Sequence, residues 1–412
     1  MVRLATSVPG LLLLISYTLG AQSDNPAPPP DTETTAGEIR RLREEKRRRL
    51  QPETLPLLHR AILYVREHKI PEKITYGYKG FRPRFGTLGP GSGFGIGVEY
   101  FRPNLAQDRY TVRTSVTGSL QQFFMVDGEF EARRLAGNGF VNLLGFHRFS
   151  PSIDFYGEGP GSSKDNRTAY SLEENNAQIS GGWYFTPRLR VAALLRYLTS
   201  NVGSSRSGER ISVESVFPPS MVPGLGFQTP YFETGGTLEL LPDRQLGAPP
   251  GGSLGAVRWS RYQSQQAGSP SFTRAETTAE HTHLFLNQQR AIVLRGHAVL
   301  SIPETGTAVP FYLQPELGGP DELRGFAGRR FYDNNLVSAT AEYQWQIFSG
   351  VRLALFADAG KVFPQWDQWS FGGMETSYGM GVRFGAAGLG SGRFDVAFSR
   401  EGGQFWVVFA NF

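Results

Sequence analysis

From Thr75 to Phe412, apolar and polar residues alternate with a period of two in segment after segment. In Arg109 to Ser119, Tyr110, Val112 and Val116 share one face and Arg113, Ser115 and Thr117 the other. In Pro187 to Thr199, Val191, Ala193, Leu195 and Tyr197 oppose Arg188, Arg190 and Arg196; in Ile292 to Ser301, Ile292, Leu294, Ala298 and Leu300 oppose Arg295, His297 and Ser301. A period of two is the signature of strands with one apolar and one polar face. Beyond the first residues, no apolar run reaches the ~18 residues that a membrane-spanning helix needs. The chain is therefore either a soluble all-β protein or a barrel that crosses a membrane by strands, closed so that every backbone polar group is paired. Lipid outside and water or polar loop inside explain both faces at once. The mean hydropathy of -0.29 fits that arrangement, because only every second strand residue meets lipid. The 50 glycines and 13% aromatic residues fit many strands joined by turns.

Residues 1–21 read as a secretory signal peptide, with Arg3 as the basic end, Leu11 to Ile15 as the apolar centre and Leu19-Gly20-Ala21 as the cleavage site. Residues 22–37, rich in Pro, Thr, Asp and Ala, read as a disordered linker. Residues 38–73 read as a basic helical segment. Thr35 and Glu38 have capping-box spacing, Pro52 and Pro56 interrupt the pattern, and a second short helix is expected over about residues 57–69. The net charge of +5 arises largely from Arg40, Arg41, Arg43, Lys46, Arg47, Arg48 and Arg49. No base-stacking aromatics are interleaved with them, which argues against nucleic acid as a partner. A plug in the bore or an anchor on anionic headgroups remain open for this segment. Absence of cysteine removes disulfide frameworks, thiol catalysis and Cys-based metal sites.

Turn signals and alternation divide residues 74–412 into about sixteen antiparallel strands, an even number as in single-chain outer-membrane barrels. The first strand is expected over 74–86, the twelfth over 335–347 and the thirteenth over 351–359. Long connections at 201–228, 303–334 and 360–374 belong on the outer side and short ones on the other. Gly91, Gly93, Gly95 and Gly97 recur every second residue, placing them on one face of the second strand. They lack the following helix that a phosphate loop requires, so close packing or curvature is the expected role. His281 and His283 share a strand face without a third metal ligand, His147 has no serine partner, and no G-x-S-x-G turn occurs. Neither an enzyme nor a metal or other cofactor is indicated.

The stretch Leu317-Gly318-Gly319-Pro320-Asp321-Glu322-Leu323-Arg324-Gly325-Phe326 is an apolar, glycine-rich loop with one arginine, and it precedes Glu342 and Asp358 on alternating strands. Val337, Ala339, Ala341, Tyr343, Trp345 and Ile347 form an outward face, which leaves Glu342 inward; Leu353, Leu355 and Ala357 do the same for Asp358. A turn at Phe348-Ser349-Gly350, with Gly350 left-handed, would pair Ile347 with Val351. Counting back, Glu342 falls opposite Phe356 and Asp358 opposite Thr340. The two carboxylates become diagonal neighbours roughly 7 to 8 Å apart at the backbone, a gap that one forked guanidinium bridges.

Leu323-Arg324-Gly325-Phe326, Ala341-Glu342-Tyr343, Phe356-Ala357-Asp358-Ala359-Gly360 and Ser377-Tyr378-Gly379-Met380-Gly381-Val382-Arg383 together resemble the BamA/TamA-type outer-membrane barrels, the bacterial surface antigen family. The resemblance implies that the Arg324-Gly325-Phe326 tip of a surface loop enters the bore and locks onto Glu342 and Asp358. It implies a bacterial outer-membrane location, a weak seam between first and last strands, and a part in inserting or translocating proteins or lipids there. Outer-membrane lipid and unfolded outer-membrane protein clients would be the partners. The segment before the barrel is too short and too helical in pattern for the POTRA domains that usually receive clients, so a separate periplasmic chain could supply that step. A passive channel or structural barrel without insertase activity is the alternative. Phe412, a terminal phenylalanine on the last strand, matches the insertion signal of such barrels, although Ala410 replaces the aromatic often found two places earlier.

Overall fold

A computed structural model describes residues 40–46, 77–208, 210–242, 251–348, 350–386 and 390–410. The chain divides into two compact units, Met1–Leu63 and Tyr64–Phe412. In the first, the described residues 40–46 form a helix whose side chains are all exposed. The expected signal peptide, the linker and most of the basic segment lie outside the described residues.

The second unit is a sheet of sixteen strands, each antiparallel to its neighbours in chain order. Its first half comprises β1 (Phe81–Gly86), β2 (Gly95–Asn104), β3 (Tyr110–Ser119), β4 (Phe124–Leu135), β5 (Gly139–Phe155), β6 (Thr168–Tyr184), β7 (Leu189–Ser204) and β8 (Tyr231–Leu240). The second half comprises β9 (Gly252–Ser264), β10 (Phe272–Phe285), β11 (Arg290–Pro303), β14 (Asn335–Phe348), β15 (Val351–Phe363), β16 (Glu375–Ala386), β17 (Gly390–Ser399) and β18 (Gly402–Ala410). Two further short strands, β12 (Glu316–Leu317) and β13 (Phe331–Tyr332), pair with each other inside the long β11–β14 connection. No helix among the described residues is long and apolar enough to cross a membrane.

The period of two becomes a barrel wall with opposite faces. Ile96, Val98, Leu195, Leu355 and Met380 point outward and are exposed, as lipid-facing residues must be. The alternate row is bound across the inner face. Arg113 meets Asp127 at 2.6 Å, Arg190 meets Glu239 at 2.6 Å and Arg295 meets Glu280 at 2.6 Å. Charges that would be costly in lipid are thus held by partners on adjoining strands.

The long connections β5–β6, β7–β8 and β11–β14 gather at one end of the barrel, the outer end by the usual asymmetry of such folds. There Ile153, Phe155, Tyr170 and Leu172 from the wall pack against Val213, Val222, Phe311, Tyr312 and Tyr332 from the connections. A second cluster, Leu198, Tyr231, Tyr262, Phe272 and Val309, continues this apolar filling around the wall. The outer mouth is therefore occupied by packed side chains, and the polar lining lies beneath it.

Three local features differ from the alternation pattern. β1 begins at Phe81, not at residue 74, because Gly77, Lys79 and Gly80 adopt left-handed φ of 64°, 54° and 94° and turn the chain before it. Gly91 and Gly93 lie in the β1–β2 turn with φ of 85° and 67°, so only Gly95 and Gly97 belong to β2. At Gly97 a Cβ would lie 2.2 Å from the Val116 carbonyl oxygen, so the neighbouring backbone of β3 excludes a side chain there. At the β14–β15 turn, Gly350 has φ 76°, but Phe348 rather than Ile347 pairs with Val351, and a bulge between Gln346 and Phe348 absorbs the extra residue. Above the bulge the register is the counted one, with Glu342 opposite Phe356 and Thr340 opposite Asp358.

Candidate functional site: the inward loop and the seam

Leu317, Leu323 and Phe326 leave the solvent because they face an apolar patch on the inner wall. With Phe331 they pack on Val299 of β11, Leu336 of β14 and Val362 of β15. Leu317, Leu323 and Phe326 are each 0% exposed, which puts the loop inside the bore. Burying three such side chains favours that position by roughly 1.5 to 3 kcal/mol each. Gly325 lets the tip reach the wall, since a Cβ there would lie 2.6 Å from Ser377 Cβ and 2.7 Å from the Phe398 carbonyl oxygen.

Arg324, 1% exposed, sits between the two carboxylates. Its Nε donates to Asp358 Oδ2 at 3.0 Å, its Nη2 to Asp358 Oδ1 at 2.6 Å and its Nη1 to Glu342 Oε2 at 2.8 Å. The backbone N of Arg324 also donates to Asp358 Oδ2, at 3.1 Å, and its guanidinium lies over the Phe356 ring. Thr340 and Ser377 hydroxyls, both at 3.0 Å, complete the shell of Asp358. A buried arginine between two fully bonded carboxylates meets the conditions under which a buried ion pair is tolerated.

The network continues toward the last strand. Arg383 on β16 donates to Glu342 at 2.7 Å and also pairs with Asp395 on β17, which approaches Arg393 at 3.4 Å. Arg393 in turn reaches Asp321 of the loop at 2.5 Å. The indole Nε1 of Trp406 on β18 donates to the Arg324 carbonyl at 2.7 Å, and Ser399 Oγ donates to the Gly325 carbonyl at 2.7 Å. The loop is thus bonded directly to β14, β15, β17 and β18, and β16 joins the network through the bonds of Arg383 to Glu342 and of Ser377 to Asp358.

A second arginine of the loop makes an outer clamp. Arg330, 1% exposed, donates through Nε to Glu401 Oε2 at 2.9 Å, in the β17–β18 turn, and through Nη1 to Ser162 Oγ at 2.9 Å, in the β5–β6 loop. Beside it Gly159 N donates to the Tyr332 carbonyl at 2.7 Å, and Gln314 Nε2 donates to Glu158 Oε1 at 2.8 Å. Burial pushes the Glu158 carboxyl up to about 7; the Gln314 hydrogen bond opposes this, and the charge of Asp333 adds to it. Burial likewise pushes Asp333 up to about 6, against a hydrogen bond from Asn334 N.

The sheet ends at β1 and β18, and among the described residues no backbone ladder joins them. The barrel is nearly closed, with one unsealed seam. The rings of Phe94 and Phe409 meet edge-on across it at 6.0 Å.

Of the residues singled out from sequence, Arg324, Gly325, Phe326, Glu342 and Asp358 are brought together, and Phe412 lies outside the described residues. His281 bonds Ser253 and His147 bonds Asn175, each at 2.8 Å, while His283 stacks on Phe285. No group of three or more potential metal ligands occurs among the described residues. Arg383, Asp395, Arg330 and Glu401 were not anticipated as partners. The parity that turned Glu342 inward also turns Arg383 and Asp395 inward, so two of the four were within reach of the same count.

The Omp85 superfamily domain matches residues 86–405. The chain belongs to the Omp85 superfamily. Its barrel superposes on BamA from Haemophilus ducreyi lacking POTRA domains 1-3 with a TM-score of 0.58 at 16% identity, covering 81% of this chain and 71% of that one. CdiB from Escherichia coli gives a TM-score of 0.52 at 14% identity over 79% of this chain and 60% of that one, so the chain spans about three fifths of CdiB. No protein of curated function matches the sequence. Omp85 membership and the barrel fold together place the protein in the bacterial outer membrane. Among the described residues, nothing before the barrel forms a POTRA domain.

Proposed function

We propose that this Omp85 barrel is the membrane-embedded part of a device that inserts or translocates proteins, or lipids, at the outer membrane. The observation that carries the reading is the seam. β1 is six residues long and ends the sheet on one side, while β18 ends it on the other, with no ladder between them among the described residues. Exposed backbone donors and acceptors at such edges are a template for pairing with another strand. In lipid the drive to pair is stronger, because an unpaired peptide group there costs several kcal/mol. A client strand in the act of folding would find at the seam the partner that the bilayer denies it.

In this reading Arg324 is a lock. It holds the loop against β14 and β15 while the seam opens and closes, so that movement is confined to the edge strands. The filled outer mouth and the bonded loop favour this reading over a passive channel, since both obstruct a continuous aqueous path.

The test is reconstitution of the purified protein in liposomes with and without a second, unfolded outer-membrane barrel. Faster insertion of the client, abolished by a disulfide engineered across β1 and β18, is the expected result. Steady ion conductance with no acceleration of insertion would move the protein to the channel alternative. Should insertion need an added periplasmic chain, client capture would be located in that chain.

A further inference from the structure

The β15–β16 connection, residues 364–374, carries the sequence Pro-Gln-Trp-Asp-Gln-Trp-Ser-Phe-Gly-Gly-Met. Its Pro364 carbonyl accepts from the Asn334 and Asn335 side-chain amides, at 3.3 Å and 3.0 Å, and beyond those bonds Trp366 is 55% exposed and Phe371 is 82% exposed. The hydrogen bonds of Lys361 fix where it lies. Lys361 is opposite Val337 in the ladder and so belongs to the outward row of β15; its Nζ donates to Ser370 Oγ at 3.2 Å and to the Gly372 carbonyl at 2.7 Å. The connection is therefore folded onto the outer face of the wall.

Phe363 is next in that outward row and is only 1% exposed, because Trp366 and Trp369 cover it with ring centroids at 6.0 Å and 5.4 Å. Trp369 in turn packs against Phe371 at 5.6 Å. An aromatic knob thus stands at the outer end of a column that begins with Leu353 and Leu355 on β15 and Tyr378 and Met380 on β16, all exposed. Asp367, Gln365 and Gln368 interleave its rings with polar groups. Rings that are apolar in body and polar at one edge, set between a lipid-facing column and water, match the composition of the headgroup boundary.

We propose that the 364–374 connection is a lipid anchor that seats in the outer leaflet at the boundary between headgroups and acyl chains. Its occupant is the membrane lipid itself, because the knob continues the surface that the barrel already presents to lipid. The placement has a mechanical consequence. β15 carries Asp358 on its inner face, where Arg324 holds it, and the knob on its outer face a few residues further on. The hairpin beside the edge strands is then fastened from both sides, to the loop within and to the bilayer without.

The test uses the full chain in liposomes whose acyl chains are brominated either near the headgroup or near the methyl end. The fluorescence lost in Trp366→Phe, taken as the difference from the unsubstituted protein, is expected to be quenched about twofold by the shallow bromines and little by aqueous iodide. Heat-modifiable mobility of Trp366→Phe, which keeps an aromatic ring, verifies folding. Phe371→Ser serves as a second variant and should shift the remaining loop emission to longer wavelength. Strong iodide quenching with no response to brominated lipid overturns the proposal. So does a response to soluble outer-core oligosaccharide in the absence of brominated-lipid quenching, which would make the knob a glycan platform.

Discussion

On the C-terminal side of the seam, β14 to β18 are tied to the inward loop by Arg324, by the Arg383–Asp395–Arg393 relay, by Trp406 and by Arg330. On the N-terminal side, β1 is short; Arg82 pairs with Glu99 of β2 and Arg84 with Asp127 of β4. The loop meets that side through the β1–β2 turn, where Gly328 packs so closely on Pro90 that a Cβ would lie 2.4 Å from Pro90 Cβ. One edge of the opening is tied to the inward loop by buried charge, whereas the other is held to its neighbouring strands and meets the loop by packing. Short ladders mark segments of low local stability, and β1, at six residues, has the shortest ladder among the described strands of the sixteen-stranded sheet. On the proposed reading, the seam would open by displacement of β1 against a fixed frame.

Removing Arg324 is the most severe way to break the asymmetry. Arg324→Ala takes from Asp358 its cation, whereas Glu342 retains Arg383. Stranding a buried carboxylate costs on the order of 3–5 kcal/mol, so folded, heat-modifiable protein should fall and the remainder should melt earlier. Arg324→Lys should recover only part of this, since a single ammonium cannot span both carboxylates as a fork does. Glu342→Gln should do less harm than Asp358→Asn, because Arg324 keeps Asp358 and Arg383 keeps Asp395. Equal folding yield and melting temperature for Arg324→Ala would remove the lock from the account.

Arg330→Gln should act on a smaller region. It frees Glu401 at the β17–β18 turn and Ser162 across the bore, with a cost of about 1–3 kcal/mol for the buried groups left unpaired. Hydrogen exchange should accelerate in the β17–β18 hairpin while β14 and β15 stay protected by Arg324. Uniform acceleration around the barrel would show that the two arginines are one cooperative unit, and the braced wall would lose its internal hierarchy.

What the sequence made legible follows from how local the physics is. Alternation is set residue by residue by which side meets lipid, and it yields the sixteen strands and their antiparallel order. The β14–β15 register is legible too, because a left-handed glycine at 350 fixes the turn and the bulge below Gln346 leaves the partners of Glu342 and Asp358 unchanged. The start of β1 is not, because Lys79, a residue with no special liking for left-handed φ, adopts φ of 54° in the turn before it. Arg330 reaches partners 71 and 168 residues away in sequence, and no period in the chain encodes such a meeting. The aromatic connection over Phe363 reads as an ordinary loop until the Lys361 hydrogen bonds show which face it covers.

The gentlest test is pH, and it acts on the outer foothold of the brace alone. Glu158 and Asp333 flank the Tyr332 backbone contact, with carboxyls pushed up to about 7 and about 6. The groups facing Glu158 are the amide of Gln314 and the charge of Asp333, with no cation among the causes that act on it. A carboxyl whose folded pKa exceeds its free value favours the folded loops in its protonated form. Their stability is therefore full below about 4.5 and is lost as the pH rises through about 7. Hydrogen exchange in residues 156–167 and 309–333, corrected for the intrinsic pH dependence of exchange, should thus show faster opening at pH 8 than at pH 5. Partial solvent access of Glu158 keeps the effect local and smaller than either arginine substitution. Glu158→Gln, which keeps the shape and removes the charge, should flatten much of the profile while β1 exchanges as before. If β1 instead follows the same pH curve, the outer loops and the seam are one cooperative unit, and the contrast between a braced and an unbraced edge fails.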